Sequence, residues 1–341
     1  MPDLSITSAI LLFLVSGLLI WHFSNKLSGV VDAIDEKWNL GDAFGGTIML
    51  SVVTNLQEMV IVVTGTLQGN TSIALGNILG GIAMQTLLLV LFDHATRKNE
   101  PQPLCTLASA PAALIQGAFL CIILALVIAG AQFNQSFVSQ RISPVETGIV
   151  ATWLITLWLL HRTGHHKAVR SSRPAAAVVS PGTLLSNRQA VASLTFIGAI
   201  ILIFGYFLAT TSETIANHFG LSGVVFGATV LAFVTSLPEI SSGLAYVKER
   251  KYAPIMADIL GGNAFLPVLF LLANLLAGRS ILTDAHHADI YLTALSIILC
   301  LVFLSGMILQ PQKRVLRLGP DSWCMLIIYA LGMAGLVYVH A

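Results

Sequence analysis

The chain has 341 residues, of which 56% are hydrophobic and only 10% charged, and its net charge is +1. A soluble domain carries about 25% charged residues, so 17 basic and 16 acidic side chains cannot clothe a water-facing surface of this size. A soluble enzyme, a disordered chain and a disulfide scaffold are thereby excluded, and the balanced charge gives no support for nucleic-acid binding. The apolar residues come in blocks of membrane-spanning length, as in a polytopic membrane protein.

The first apolar run covers residues 5–20. A signal peptide needs a basic leading segment and a small-residue cleavage site. Here Asp3 is the only charge before Lys26, so the run reads as a first membrane helix. Roughly 20 apolar residues cross the hydrocarbon, and ten such windows fit. Five lie at about 5–23, 43–66, 71–92, 107–131 and 145–161, and five at 191–212, 221–246, 253–277, 288–309 and 321–340. Gln68-Gly69-Asn70 suits a tight hairpin between the second and third. Lys248-Glu249-Arg250-Lys251 makes a charged turn between the seventh and eighth. The predicted fold is all-α, with ten transmembrane helices in two five-helix halves, 1–162 and 191–341. A basic linker, 163–190, joins them; it reads as a solvated topology determinant whose charge can attract anionic lipid headgroups.

Basic residues test this count. With ten spans, 15 of the 17 Lys and Arg fall on one side, and only Arg141 and Arg279 on the other. The positive-inside rule then places the linker in the cytoplasm and both termini outside. Cys105, Cys121, Cys300 and Cys324 lack metal-type spacing and read as reduced, buried small hydrophobes.

Residues 46–91 align without gaps on 227–272, an offset of 181, with thirteen identities in 46 positions. Among these are a glutamate within an apolar helix, Glu58 and Glu239, and a following Gly-Gly pair, Gly80-Gly81 and Gly261-Gly262. Five helices separate the copies, so they cross the membrane in opposite directions. Such inverted repeats are typical of secondary transporters, whose sites lie near the midplane where the repeats meet.

The two segments read Val53-Thr54-Asn55-Leu56-Gln57-Glu58 and Val234-Thr235-Ser236-Leu237-Pro238-Glu239. An intramembrane carboxylate costs about 2.5–3.5 kcal/mol on insertion scales, so an unused pair is a poor expectation. Two carboxylates held close repel unless a cation or protons compensate them. Their joint charge matches one Ca2+, two Na+ or two H+, which is the basis for antiport through one site. Pro238 removes a backbone N–H and clashes with the carbonyl four residues back, turning the carbonyls of Val234 and Thr235 toward an ion. Calcium takes six to eight oxygens, which Glu58, Glu239, carbonyls, Asn55, Ser236 and water can supply. Gly80, Gly81, Gly261 and Gly262 are expected to thin their helices where the site helices cross.

Each candidate has a plainer reading. Glu58 and Glu239 can be protonated or internally hydrogen-bonded acids, and Thr54, Asn55, Thr235 and Ser236 can serve interhelical hydrogen bonding. The Gly pairs can be packing alone. Gln85, Asn263, Asn77 and Asp258 are candidates to support the ligands or receive a coupling ion. Asn77 and Asp258 are repeat equivalents, and Asp258 lies nearer a helix end. Glu213, Asp93 and Asp289, at window ends, read as interfacial. The pairs His165-His166 and His286-His287 stand in loops without further metal ligands at useful spacing.

These motifs resemble the alpha-repeats of the cation/calcium antiporter superfamily, which comprises sodium/calcium and proton/calcium exchangers. Gly227 through Thr235-Ser236-Leu237-Pro238-Glu239 is a close match. Gly45-Gly46-Thr47 through Thr54-Asn55-Leu56-Gln57-Glu58 is nearer the Gly-Asn-x-x-Glu form of the proton-coupled branch. The resemblance covers about 90 residues in motif, together with the ten-helix topology. It implies that Glu58 and Glu239 bind Ca2+ with backbone oxygens of Thr54 and Thr235. It also implies alternating access by sliding of the first and sixth helices past the other eight. This chain departs from the family at Gln57, which replaces the usual proline. It departs again at Gly81 and Gly262, where sodium-coupled members have serines, and at Gln85 and Leu266, where those members have a polar or acidic ligand. Depleted sodium sites tilt the reading toward proton coupling.

The expected function is therefore secondary antiport of Ca2+, or a related divalent cation, against H+ or Na+, without a resident cofactor. A cation channel with an acidic constriction and a non-transporting family member are the alternatives. An intramembrane enzyme is not supported, because no paired Asp, Ser–His or His/Glu metal motif sits in the spans. The compact linker resembles prokaryotic members, so a prokaryotic inner membrane is the expected location.

Overall fold

The computed structural model describes residues 5–38, 52–97, 100–133, 142–162 and 187–339. The start of the second window with Gly45-Gly46-Thr47, and the linker from 163 to 186 with His165-His166, lie outside them. Among the described residues the regular secondary structure is helical, apart from one isolated bridge between Val315 and Leu318. In chain order the helices are α1 (Ile6–Trp38), α2 (Leu56–Leu67), α3 (Thr71–Ala95), the short α4 (Leu104–Leu107), α5 (Pro111–Gly130), α6 (Pro144–Arg162) and α7 (Asn187–His218). There follow α8 (Gly223–Thr235, with a π-helical turn at Gly227–Leu231), α9 (Leu237–Lys248), α10 (Tyr252–Phe265), α11 (Leu269–Ala277), α12 (His287–Leu309) and α13 (Pro320–Val339).

Seven stretches are long and apolar enough to cross a membrane: Ile6–Leu27, Thr71–Ala95, Pro111–Gly130, Pro144–Arg162, Arg188–His218, Tyr252–Ala277 and His287–Leu309. The pair α8–α9, bent by 46°, makes an eighth if taken as one span. Two shorter apolar helices, Leu56–Leu67 and Pro320–Leu336, complete the set. This is an integral membrane protein. Its helix ends follow local chemistry. Asn70 caps α3 by accepting from the Ile73 amide at 3.4 Å, and Pro111 opens α5 where no amide partner is needed. His286 and Asp289 form a reciprocal capping box on α12.

The elements also repeat. α2 and α9 are both twelve residues long, and their boundaries differ by the 181 residues of the sequence repeat. α3 and α10 begin at equivalent positions, Thr71 and Tyr252. The residues that interrupt the helix before α2 and α9 are equivalent as well. Asn55 (φ −100°, ψ 23°) and Ser236 (φ −86°, ψ 1°) break it in nearly the same way.

Burial divides the molecule. α3 is the central stave, with 83% of its most apolar stretch buried, whereas α1 and α7 bury only 28% and 22% of theirs. The main apolar core runs through α3, α5, α6, α10, α11 and α12, with Phe92, Phe270 and Phe303 at its centre. α1 and α7 lie along each other and meet the bundle through two separate small clusters. One holds Phe13, Ile20, Ile61, Leu208 and Phe226, and the other Leu27, Ile197 and Ile201.

Asp93 and Asp289, expected at window ends, are also buried within the protein: each is at most 1% exposed. Asp93 accepts from the amides of Leu104 (2.8 Å) and Gly319 (2.7 Å) and the hydroxyl of Ser322 (2.7 Å), fastening α3 to the start of α4 and to the start of α13. The first helix also continues fifteen residues beyond its predicted end at 23, reaching Trp38. Of the cysteines, Cys105 and Cys300 are buried, Cys121 is half-buried and Cys324 is exposed; all are free thiols.

Candidate cation site

The two helix interruptions put both glutamates in the same structural position, the first turn of a helix that restarts inside the protein. Glu58 lies in the first turn of α2 and Glu239 in the first turn of α9. In each case the free amides of the helix N-terminus favour negative charge. Both carboxyls are buried, at 1% and 8% exposure, and each keeps one oxygen, Oε2, without a hydrogen-bond partner. A buried carboxyl oxygen with no donor is costly unless a cation or proton meets it.

Across the repeat interface the contacts are polar. Gln57 donates from Nε2 to the carbonyl oxygen of Thr235 (2.8 Å) and to Glu58 Oε1 (3.3 Å). The Thr235 carbonyl, which Pro238 was expected to turn toward an ion, thus accepts from the Gln57 side chain of the other repeat. Gln57 Oε1 in turn accepts from the Ser24 hydroxyl of α1 at 2.8 Å. Gln57 is the repeat equivalent of Pro238. A proline there removes a donor, whereas the glutamine supplies two.

The remaining predicted residues divide into two groups. Asn55 is 3% exposed; its Nδ2 donates to Thr54 Oγ1 at 3.3 Å, and its Oδ1 faces Gly262 of α10. Thr235 and Ser236 are buried, and their hydroxyls donate back to the Ala232 carbonyl at 3.2 and 2.7 Å. These therefore gather with Glu58 and Glu239 around the two interruptions. Asp258, on α10, accepts from the Ser242 hydroxyl at 2.7 Å, and that hydroxyl lies 3.1 Å from the Glu239 carbonyl. Asn263 donates to the Ile82 carbonyl (3.4 Å) and Thr86 Oγ1 (3.2 Å), pinning α10 to α3. Asn77 is buried with neither amide atom partnered, and Gln85 is buried further along the same helix.

The glycines do not act alike. A Cβ at Gly80 would collide with the backbone of Ala228, so α3 and the π-helical turn of α8 touch main chain to main chain there. That close approach is the role expected of all four. At Gly81, Gly261 and Gly262, however, a Cβ would meet nothing nearer than 4.0, 3.4 and 3.8 Å, so these glycines leave room beside Leu266, Gln116 and Asn55. Sequence reasoning passed over Ser24, Ser242 and Gln116. Gln116 is a buried amide whose Oε1 has no partner, and its Nε2 faces Gly261.

No group of three or more His, Cys, Asp or Glu that could hold a metal occurs among the described residues. A cation at this site would rest on two carboxylates plus carbonyl, amide and hydroxyl oxygens, the hard-oxygen chemistry of calcium rather than of zinc.

The family profile of the sodium/calcium exchanger protein matches residues 8–161 and 190–338, nearly the whole chain. This chain belongs to the sodium/calcium exchanger protein family. It is accordingly a membrane antiporter of the cation-exchanger type. Among curated relatives it is similar to the inner membrane protein YrbG of Escherichia coli K12, at 23% identity over 281 residues, covering 76% of this chain and 77% of YrbG. Among solved structures it shares the fold of the H+/Ca2+ exchanger CAX, with a TM-score of 0.66 at 12% identity, covering 97% of this chain and 87% of that one. It also shares the fold of the sodium-calcium exchanger NCX_Mj, with a TM-score of 0.57 at 18% identity, covering 97% and 99%.

Proposed function

We propose that this exchanger-family chain carries Ca2+, or a related divalent cation, across the membrane in exchange for H+ or Na+, through a single site built on Glu58 and Glu239. The supporting observation is that both buried glutamates open equivalent helices and each holds an oxygen without a donor. Ligands in this reading are the two carboxylates, the backbone oxygens of Thr54 and Thr235, and the side-chain oxygens of Asn55 and Ser236. Gln85, Asn263, Asn77 and Asp258 support the ligands or the coupling ion. The two shorter apolar helices and the bent pair bring the spans to ten, in two halves of opposite direction, with both termini outside and the linker cytoplasmic. α1 and α7, which meet the bundle through two small apolar clusters and the hydrogen bonds of Trp21 and Ser24, slide to expose the site to one side and then the other.

Proton coupling is favoured over sodium coupling, because Gly81 and Gly262 carry no side-chain oxygen and Leu266 stands where Gln85 stands in the first repeat. The test is radiolabelled Ca2+ uptake into proteoliposomes under an imposed pH gradient or Na+ gradient, with Glu58→Gln and Glu239→Gln in each arm. Uptake driven by the pH gradient and lost in both variants is the expected result. Uptake driven by Na+ alone overturns proton coupling, and uptake retained by folded variants overturns the two-glutamate site. Conductance without gradient-driven exchange would favour a channel.

A further inference from the structure

Resting on the function just proposed, we infer that the Gln57 carboxamide is a built-in competitor of the cation: its hydrogen bonds engage oxygens of the proposed ligand set, and the cation gains those oxygens fully only when the carboxamide turns away. Gln57 Nε2 donates to Thr235 O (2.8 Å) and Glu58 Oε1 (3.3 Å). One is the carbonyl, the other the carboxylate, that the cation would take. The orientation of the amide follows from its partners. A carbonyl and a carboxylate only accept, so the N–H2 end must face them, and a hydroxyl can serve the oxygen end. Ser24 does so at 2.8 Å. Gln57 and Ser24 are both buried, so no bulk water competes for these bonds.

Each of these hydrogen bonds engages a lone pair and sets a partial positive charge beside the oxygen, so a divalent cation gains less from oxygens that the carboxamide holds. Binding is therefore tightest when the carboxamide turns away, and breaking its two hydrogen bonds is subtracted from the cation's affinity. The second repeat has no such device, because its equivalent residue is Pro238, which carries no donor. Gln57 is also the point where the site touches a peripheral helix. Its oxygen end is held by Ser24 of α1, one turn after Trp21, whose indole donates to Ser241 of α9 at 2.6 Å. Displacing the carboxamide thus alters the grip of α1 on the site helix in the same event that admits the ion.

The experiment measures KM and kcat for Ca2+ exchange in proteoliposomes for wild type, Gln57→Leu, Ser24→Ala and the double variant. Two lost hydrogen bonds predict that Gln57→Leu lowers KM by about five- to 150-fold. Ser24→Ala lowers it less, and the double variant matches Gln57→Leu, because Ser24 acts on affinity through Gln57. A KM in Gln57→Leu that is unchanged overturns the inference. A raised KM also does so, because the amide oxygen would then be a ligand. If Gln57→Leu does not fold, Gln57→Pro, which copies the second repeat, is read by the same criteria. Should neither folds, Ser24→Ala alone decides, by lowered or unlowered KM. A wild type that exchanges no cation overturns the proposed function and this inference with it, whereas an exchanging wild type with unaltered variants overturns this inference alone.

Discussion

Asn263 on α10 donates its side-chain N–H to the carbonyl of Ile82 on α3, its own counterpart 181 residues earlier in the repeat. A residue that touches its own equivalent lies close to the axis relating the two copies. α3 and α10 therefore cross near the pseudo-symmetry axis, and the helices that restart beside them, α2 and α9, flank it. The internal repeat of the sequence and the crossing of these helices are one fact seen at two levels.

If that axis lies in the membrane plane, the loops must alternate as the basic residues do. On a cysteine-free background, a cysteine at Ser171 in the linker should react with a membrane-impermeant maleimide only from the cytoplasmic side. One at Gln135 should react only from the outside. Labelling of both from one side would mean that a span is miscounted.

Main-chain contact at Gly80 makes a sharp stability prediction. Gly80→Ala drives a methyl into the Ala228 backbone and should destabilise the protein by about 1–3 kcal/mol, the usual cost of overpacking. Gly262→Ala meets only ordinary contact at 3.8 Å and should leave the melting temperature in detergent nearly unchanged. Thermal melts of the two variants side by side check the contrast, and equal melting temperatures would refute it.

Asp93 collects three donors from segments more than two hundred residues apart in the extreme case. Asp93→Asn keeps the size but replaces one acceptor oxygen with a donor that faces another donor. The expected loss is about 2–4 kcal/mol, in the range for breaking a buried charged network, with the Ca2+ KM of surviving protein unaltered. A melt together with uptake kinetics separates this structural role from a part in the cation site.

Protons and a divalent cation contend for the same two carboxylates in the proposed site, and protonation removes the charge that holds the cation. The KM for Ca2+ should therefore rise as the pH on the cation-loading side falls, while saturating Ca2+ restores the rate. A pH series of initial uptake rates tests this, and a KM independent of pH would count against shared carboxylates.

Much of this was legible in the chain. The repeat offset of 181 located the equivalent starts of α2 and α9 and of α3 and α10, because a shared acid and shared glycines survive in helices whose leucines carry little information. Other features were hidden for physical reasons. α1 runs on to Trp38 through charged residues, where hydropathy ends but helix propensity does not. The burial of Asp93 was hidden because its partners Leu104, Gly319 and Ser322 are connected to it by no local window. The unequal glycines were invisible, since close approach depends on which neighbour lies opposite. Gln57 was visible as a departure from proline, but the reach of its amide to Thr235 required the packing of one repeat on the other.

That single departure has a consequence for the working cycle. A carrier made of two identical inverted halves would be the same machine viewed from either side of the membrane, and its two resting forms would be equally populated. Among the positions where the two halves differ, 57 and 238 break the equivalence at the site itself, with an amide in one half and an imino acid in the other. In the exchange mechanism proposed above, the outward- and inward-open forms then differ in free energy when empty. In that mechanism the carrier loads more readily from one face than from the other under identical ion concentrations.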